Sequence, residues 1–133
     1  MKKKKLKLKV GRSRGGAGLG LFATEPIKRG QFVIEYTGEK ISSEEADKRG
    51  GKYLFDVSKD LVLDAKDRKH LARYINHSCK PNCYAERDVE EGRVSIYARR
   101  KIEPGEELSY NYGKDYWEGY IGAKNCRCEK CAN

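Results

Sequence analysis

Apolar residues along this chain recur at short, mostly twofold intervals. Leu6, Leu8 and Val10 alternate with lysines, the pattern of a half-buried strand. A loop, Gly15-Gly16-Ala17-Gly18, leads into the apolar run Leu19-Gly20-Leu21-Phe22-Ala23. Pro26 to Gly30 predicts a turn, and Gln31-Phe32-Val33-Ile34-Glu35-Tyr36 a second strand. Ser42-Ser43-Glu44-Glu45 fits a capping box, with Ser42 as cap and Glu45 reaching back to it. The short helix this box opens is expected to end before Gly50-Gly51. Tyr53–Val57 and Leu61–Leu63 predict a hairpin around Ser58-Lys59-Asp60, and Arg93–Ala98 and Glu107–Tyr112 read as further strands.

One spacing occurs twice. Ala23-x-x-x-Ile27-x-x-Gly30-Gln31 is matched by Ala98-x-x-x-Ile102-x-x-Gly105-Glu106, which reads as one turn device used in two places, each leaving a strand, turning at glycine and entering another. No helical stripe of a dozen residues alternates with the strands, which argues against a parallel doubly wound sheet. The expected fold class is mainly β: a compact, largely antiparallel arrangement with short helices.

A length of 133 residues suits one domain. Hydrophobic residues at 38% suffice for a core, while charged residues at 37% leave a very polar surface. No apolar run approaches the roughly 18–20 residues of a membrane span. The basic start, Met1-Lys2-Lys3-Lys4-Lys5, runs into the alternating segment Leu6–Val10 instead of an apolar stretch, so a secretory signal is not expected. The net charge of +9 is local: of 29 basic side chains eight lie in residues 1–14, which hold no acid, leaving 21 against 20 acidic ones. Such an arm, Lys2 to Arg14, suits contact with nucleic acid or an acidic partner, or simply a solubilising lead into the first strand. Three of the five cysteines, Cys126, Cys128 and Cys131, fall in the last eight residues. Without a secretory signal that spacing favours a metal site over a disulfide framework. Zinc takes four ligands, so a fourth must come from upstream, where Cys79 and Cys83 are the candidates.

Two segments carry the chemistry. Arg73-Tyr74-Ile75-Asn76-His77-Ser78-Cys79-Lys80-Pro81-Asn82 places polar, turn-forming residues in a β-rich chain. In Gly105-Glu106-Glu107-Leu108-Ser109-Tyr110-Asn111-Tyr112-Gly113, alternation puts Tyr110 and Tyr112 on one strand face, as core phenols with wet tips or as the lining of a channel. With these segments the chain resembles the SET-domain family of protein-lysine methyltransferases over nearly its whole length. Gly18-Leu19-Gly20-Leu21-Phe22 is similar to the family's first cofactor loop, and Tyr36-Thr37-Gly38 to its second motif. Arg73–Asn82 is similar to the family signature, Glu107–Tyr112 to its catalytic strand, and the terminal cysteines to a post-SET zinc segment.

The resemblance implies a β-clip fold of small curved sheets with a pseudoknot, threading the signature past the tyrosine strand, an exception to unthreaded topology. It implies a basic arm at 1–14, a SET domain at 5–113 and a zinc-binding tail at 114–133. S-adenosylmethionine and a target lysine would meet through a narrow channel. Tyr112 would be the catalytic tyrosine, Tyr36 would line the lysine channel, and Tyr110 would favour mono- or dimethylation. Gly18, Leu19 and Gly20 would cradle the methionine end of the cofactor, where glycine lets backbone approach closely. Asn76 would take its amino or carboxylate group, the His77 backbone and Trp117 its adenine, and Arg73 belongs to the same cofactor set. His70 is read as an ordinary surface or helix-end residue. Cys79 would join Cys126, Cys128 and Cys131 around structural zinc, leaving Cys83 as a buried strand residue. The expected partner is a protein with a target lysine, such as a histone-like tail, met by a monomer with no membrane. The setting would be intracellular, in the cytoplasm or a nucleus, and the short form resembles a bacterial, archaeal or viral member. The rival reading is a non-catalytic, zinc-stapled module for nucleic acid or chromatin, and a third is a SET-like domain that serves only in assembly.

Overall fold

The computed structural model describes residues 6–14, 18–51 and 53–111. In chain order these form β1 (Leu8–Arg12), β2 (Leu19–Ala23), β3 (Phe32–Tyr36), β4 (Glu39–Ser42), α1 (Ser43–Arg49), β5 (Leu54–Asp56) and β6 (Leu61–Asp64). A 3-10 turn (Leu71–Tyr74) follows, then β7 (Asn76–His77), β8 (Cys83–Asp88), β9 (Arg93–Ala98) and β10 (Ser109–Tyr110). They assemble into small sheets, as the mainly β reading expected: β1-β2, β3-β9-β8, β4-β6-β5 and a two-stranded β7-β10. All pairings are antiparallel except β7 with β10, which is parallel.

Alternation in sequence becomes alternation in burial. Along β9, Val94, Ile96 and Ala98 are fully buried, while Arg93, Ser95 and Tyr97 face outward. Leu21, Ile27, Ile75, Ile102 and Leu108 are also fully buried and draw β2, the two turns and the signature segment onto one core. Burying such a side chain contributes about 1.5–3 kcal/mol. Ile41, Ala46 and Val62 make a second, smaller cluster under α1.

Ser42 caps α1, its Oγ accepting from Glu45 N at 3.0 Å. The other half of the expected capping box is absent. The Glu45 carboxylate turns to Arg49 Nε at 2.8 Å, because Arg49 also gathers Glu39 and the buried Asp64 and is the stronger partner. Gly50 ends the helix in the left-handed region at φ +56°, with its N–H on Ala46 O.

The repeated spacing is a structural repeat. Ile27 and Ile102 form an antiparallel bridge, each N–H donating to the other's carbonyl. On one side Gly30 N donates to Ala98 O at 2.8 Å and Ala98 N to Gln31 O at 3.0 Å. On the other, Gly105 N donates to Ala23 O at 2.8 Å and Ala23 N to Glu106 O at 3.0 Å. The two copies therefore pair with each other about a local two-fold axis.

Of the strand expected over Glu107–Tyr112, the described residues 107–111 contribute only Ser109–Tyr110. Leu108 N instead donates to Leu21 O, and Phe22 bridges Glu107, so the first part of the segment lies against β2 and not against β7.

Candidate active site

The site is built where β10 runs beside β7. Ser109 stands opposite Asn76 and Tyr110 opposite His77, and Ser78 N reaches Tyr110 O at 3.2 Å. Parallel partners cannot be joined by a tight turn, so a longer connection must carry the chain round. Here it runs through β8, β9 and the second copy of the repeat. Asn82, only 3% exposed, locks the join: Nδ2 donates to Glu107 O at 2.9 Å, and Oδ1 accepts from Ser109 N at 2.9 Å. The two segments singled out in the sequence thus lie side by side.

At one end of this pair lies the glycine loop. Gly18 adopts φ +83° and a side chain there would meet nothing within 4 Å, so its requirement is conformational. Leu19 is 52% exposed. Gly20 is different, because a Cβ there would collide with the Glu107 carboxylate. That carboxylate is held by Ser13 Oγ at 2.8 Å, Arg14 N at 3.1 Å and Asn76 Nδ2 at 3.1 Å. Asn76 Nδ2 also donates to Leu19 O at 2.9 Å, which ties the signature to the loop. Gly18, Leu19, Gly20 and Asn76 therefore come together as expected, with a carboxylate in their midst.

At the other end is a row of aromatic rings. Tyr36 packs on Phe55 with centroids 5.0 Å apart, and Phe55 on Tyr110 at 6.1 Å. Tyr36 and Tyr110 are buried, and the Tyr36 hydroxyl donates to Tyr53 O at 3.3 Å. Arg73 sits at this end: its guanidinium lies 3.8 Å from the Tyr53 ring centroid and its Nη1 3.3 Å from the Tyr74 hydroxyl, while its buried Nε has no partner among the described residues. Beside Tyr110 a cleft of about 190 Å³ is walled by Phe55, Pro81, Cys83, Arg99 and Asn111. His70 does more than end a helix, since its Nδ1 is 2.8 Å from Thr37 Oγ1, next to Tyr36.

Burial lowers the pKa of His77, so the ring is neutral, and Nε2 lies 3.6 Å from Cys79 Sγ. Burial pushes the Cys83 thiol up to about 12, whereas Cys79 is exposed. Of the two candidates Cys79 is thus the accessible one, while Cys83 is enclosed in the core. Among the described residues no three His, Cys, Asp or Glu side chains are grouped to hold a metal. Tyr112, Trp117, Cys126, Cys128 and Cys131 lie outside the described residues. For S-adenosylmethionine the fit is better: an open glycine loop, an exposed neighbouring surface at Leu19, and an amide and carboxylate suited to an amino-acid ammonium.

A family model described as SET domain matches residues 18–113. The chain belongs to the SET-domain family. Its SET domain is similar to a histone-lysine N-methyltransferase of Arabidopsis thaliana, ATXR7, at 44% identity over 84% of this chain and 9% of that protein. It is also similar to an H3 lysine-4 specific histone-lysine N-methyltransferase of Schizosaccharomyces pombe, at 44% over 96% of this chain and 15% of that protein. The SET fold superposes on the Chaetomium thermophilum polycomb repressive complex 2 with a TM-score of 0.75 at 36% identity, covering 84% of this chain and 16% of that one. A second solved structure, the same kind of complex in an autoinhibited conformation bound to S-adenosylmethionine, gives 0.72 at 35%, covering 83% and 15%. The chain thus spans a small part of the length of these relatives.

Four residues of this SET site were not assigned from sequence. Phe55 had a signal, since it sits on the inner face of the predicted hairpin, but nothing local says that it bridges two tyrosines. Ser13, Asn82 and Glu107 act across 25 to 94 positions, a range over which spacing carries no information.

Proposed function

We propose that this SET domain transfers a methyl group from S-adenosylmethionine to a lysine of a histone-like protein. The observation that carries the reading is the parallel pairing of Asn76-His77 with Ser109-Tyr110, which sets the loop end and the aromatic end on one short platform. Bound at the glycine loop, the cofactor supplies an electrophilic methyl on a sulfonium. Displacement there needs alignment above all, and the rigid β7-β10 join, locked by Asn82, provides it. An attacking lysine must first lose a proton from a group of ordinary pKa about 10.4. The row Tyr36, Phe55 and Tyr110 excludes water, which disfavours the ammonium form. In this reading Tyr112 stands closest to the reacting atoms, the His77 backbone and Trp117 face the adenine, and Tyr110 limits the product to one or two methyl groups. Arg73 supports the row through Tyr53. Cys79, Cys126, Cys128 and Cys131 hold structural zinc in a tail at 114–133, which follows the SET region. Such an enzyme works inside cells, where histone-like substrates are. The relatives' names favour this reading over a non-catalytic reader.

Calorimetric titration of S-adenosylmethionine into zinc-loaded protein tests the reading without a known substrate. Binding that weakens after chelation supports both cofactor and zinc, and labelled methyl transfer to histone peptides then identifies the acceptor. Tyr110→Phe is expected to raise the number of methyl groups seen by mass spectrometry. A folded, zinc-loaded protein that does not bind S-adenosylmethionine would refute the proposal.

A further inference from the structure

Glu107 sits among Gly20, Ser13, Arg14 and Asn76 with a half-buried carboxylate and, among the described residues, no cation beside it. Three donors meet its two oxygens. Oε1 takes Arg14 N at 3.1 Å, Oε2 takes Asn76 Nδ2 at 3.1 Å, and Ser13 Oγ lies 3.1 and 2.8 Å from the two oxygens. A carboxylate at this spot is acceptor-only, and so is the Leu19 carbonyl that shares the Asn76 amide. The Asn76 orientation is therefore dictated by chemistry. Turning the amide over would set Oδ1 against two acceptors at once, whereas the present arrangement spends both Nδ2 hydrogens on them. What remains of the Asn76 side chain for a ligand is Oδ1, an acceptor.

We propose that Glu107 is a positioning residue for the methyl donor: by holding Asn76 Nδ2 it commits Oδ1 to the α-ammonium of the donor, not to its carboxylate. The inference rests on the methyltransferase reading above, and it decides between the two ends of the amino-acid group that Asn76 was expected to meet. It also explains why position 20 is glycine, since a Cβ there would displace the carboxylate that orients Asn76.

The test uses the zinc-loaded chain, S-adenosylmethionine, and its analogue lacking the α-amino group, with affinities from calorimetry. The wild type is expected to bind the analogue weaker by on the order of tenfold or more, the range for a hydrogen bond to a charged group. Glu107→Gln is isosteric, but its NH₂ must face either Arg14 N–H or Asn76 NH₂, so one donor meets another. In this variant the preference is expected to shrink to about threefold or less. Glu107→Asp keeps the charge and withdraws it by one methylene, and the same shrinkage is expected; thermal melts establish which variants are folded. Should one not fold, the other decides. A variant that weakens both ligands by the same factor shows a merely structural role and overturns the inference, as does a variant that leaves the preference intact. A wild type that binds both ligands equally overturns the inference alone. One that binds neither overturns the methyltransferase reading and this inference with it.

Discussion

Ile27 and Ile102 exchange both of their backbone hydrogen bonds, at 2.9 and 2.8 Å, and so mark the axis about which two chain segments of the same spacing are paired. Both side chains are fully buried at that point. Truncating either to alanine is expected to lower stability by about 2–5 kcal/mol, the usual range for a buried isoleucine. Because the two stand directly opposite each other, the double substitution should depart from the sum of the single ones. Urea unfolding of the three variants measures this; strict additivity would mean that the two sites are independent.

Gly18 and Gly20 are required for different reasons, and substitution should separate them. Gly18→Ala forces a left-handed conformation on a side chain with open space around it, a cost of about 1–2 kcal/mol without a clash. Gly20→Ala drives a methyl into the Glu107 carboxylate and breaks its bonds to Ser13, Arg14 and Asn76. The expected outcome is a larger loss of stability for Gly20→Ala, relieved in part when Glu107 is also shortened to alanine. Gly18→Ala should show no such relief. Thermal melts of the four variants decide.

How far the sequence led is clearest at particular residues. Arg93–Ala98 alternates strictly and forms β9 with those same bounds, and the Ser42 cap and the turns at Gly30 and Gly105 are local signals that local chemistry fulfils. The echo between residues 23–31 and 98–106 was visible as spacing, but not that the copies pair with each other, since nothing local encodes a partner 75 positions away. The short β10 shows the same limit: Glu107 and Leu108 carry a strand pattern that their pairing with β2 uses up. At the site, Asn76, Gly18 and Tyr36 were legible because their residue types sit in recognisable motifs. Glu107, two residues before Ser109, looked like one more surface acid, and only the fold shows what its carboxylate holds.

The repeat also predicts a pH dependence. Gln31 Oε1 accepts from Lys28 N at 2.9 Å, and Glu106 Oε2 accepts from Glu103 N at 2.5 Å in the equivalent turn. The two side chains do the same work, one neutral and one charged. The hydrogen bond from Arg100 is the main reason that Glu106 titrates below its ordinary value of 4.5. A depressed carboxylate means that the unfolded chain binds the proton more readily. Its contribution is thus present above pH 4.5 and is lost as the pH falls from there through the lower folded value. Glu106→Gln copies the natural solution at Gln31, so it should keep the fold at neutral pH and show a shallower loss of stability on acidification. Denaturation midpoints at neutral pH and at about pH 4 compare the two proteins.

Cys79 and Cys83 are four positions apart but in opposite environments, and chemical labelling should tell them apart. Cys83 is fully buried, its thiol pushed up to about 12, so at neutral pH the metal-free protein offers a reagent almost no thiolate there. Cys79 is exposed beside the neutral His77 ring. In chelator-treated, folded protein an alkylating reagent is expected to modify Cys79 and to leave Cys83 intact, as read by peptide mass spectrometry. Loading with zinc should then protect Cys79. Replacing Cys79 with serine should abolish tight zinc binding, while Cys83→Ala keeps the metal and loses stability by about 1–3 kcal/mol from the small cavity left behind. If Cys83→Ala released the zinc and Cys79→Ser retained it, the fourth ligand would have to be reassigned.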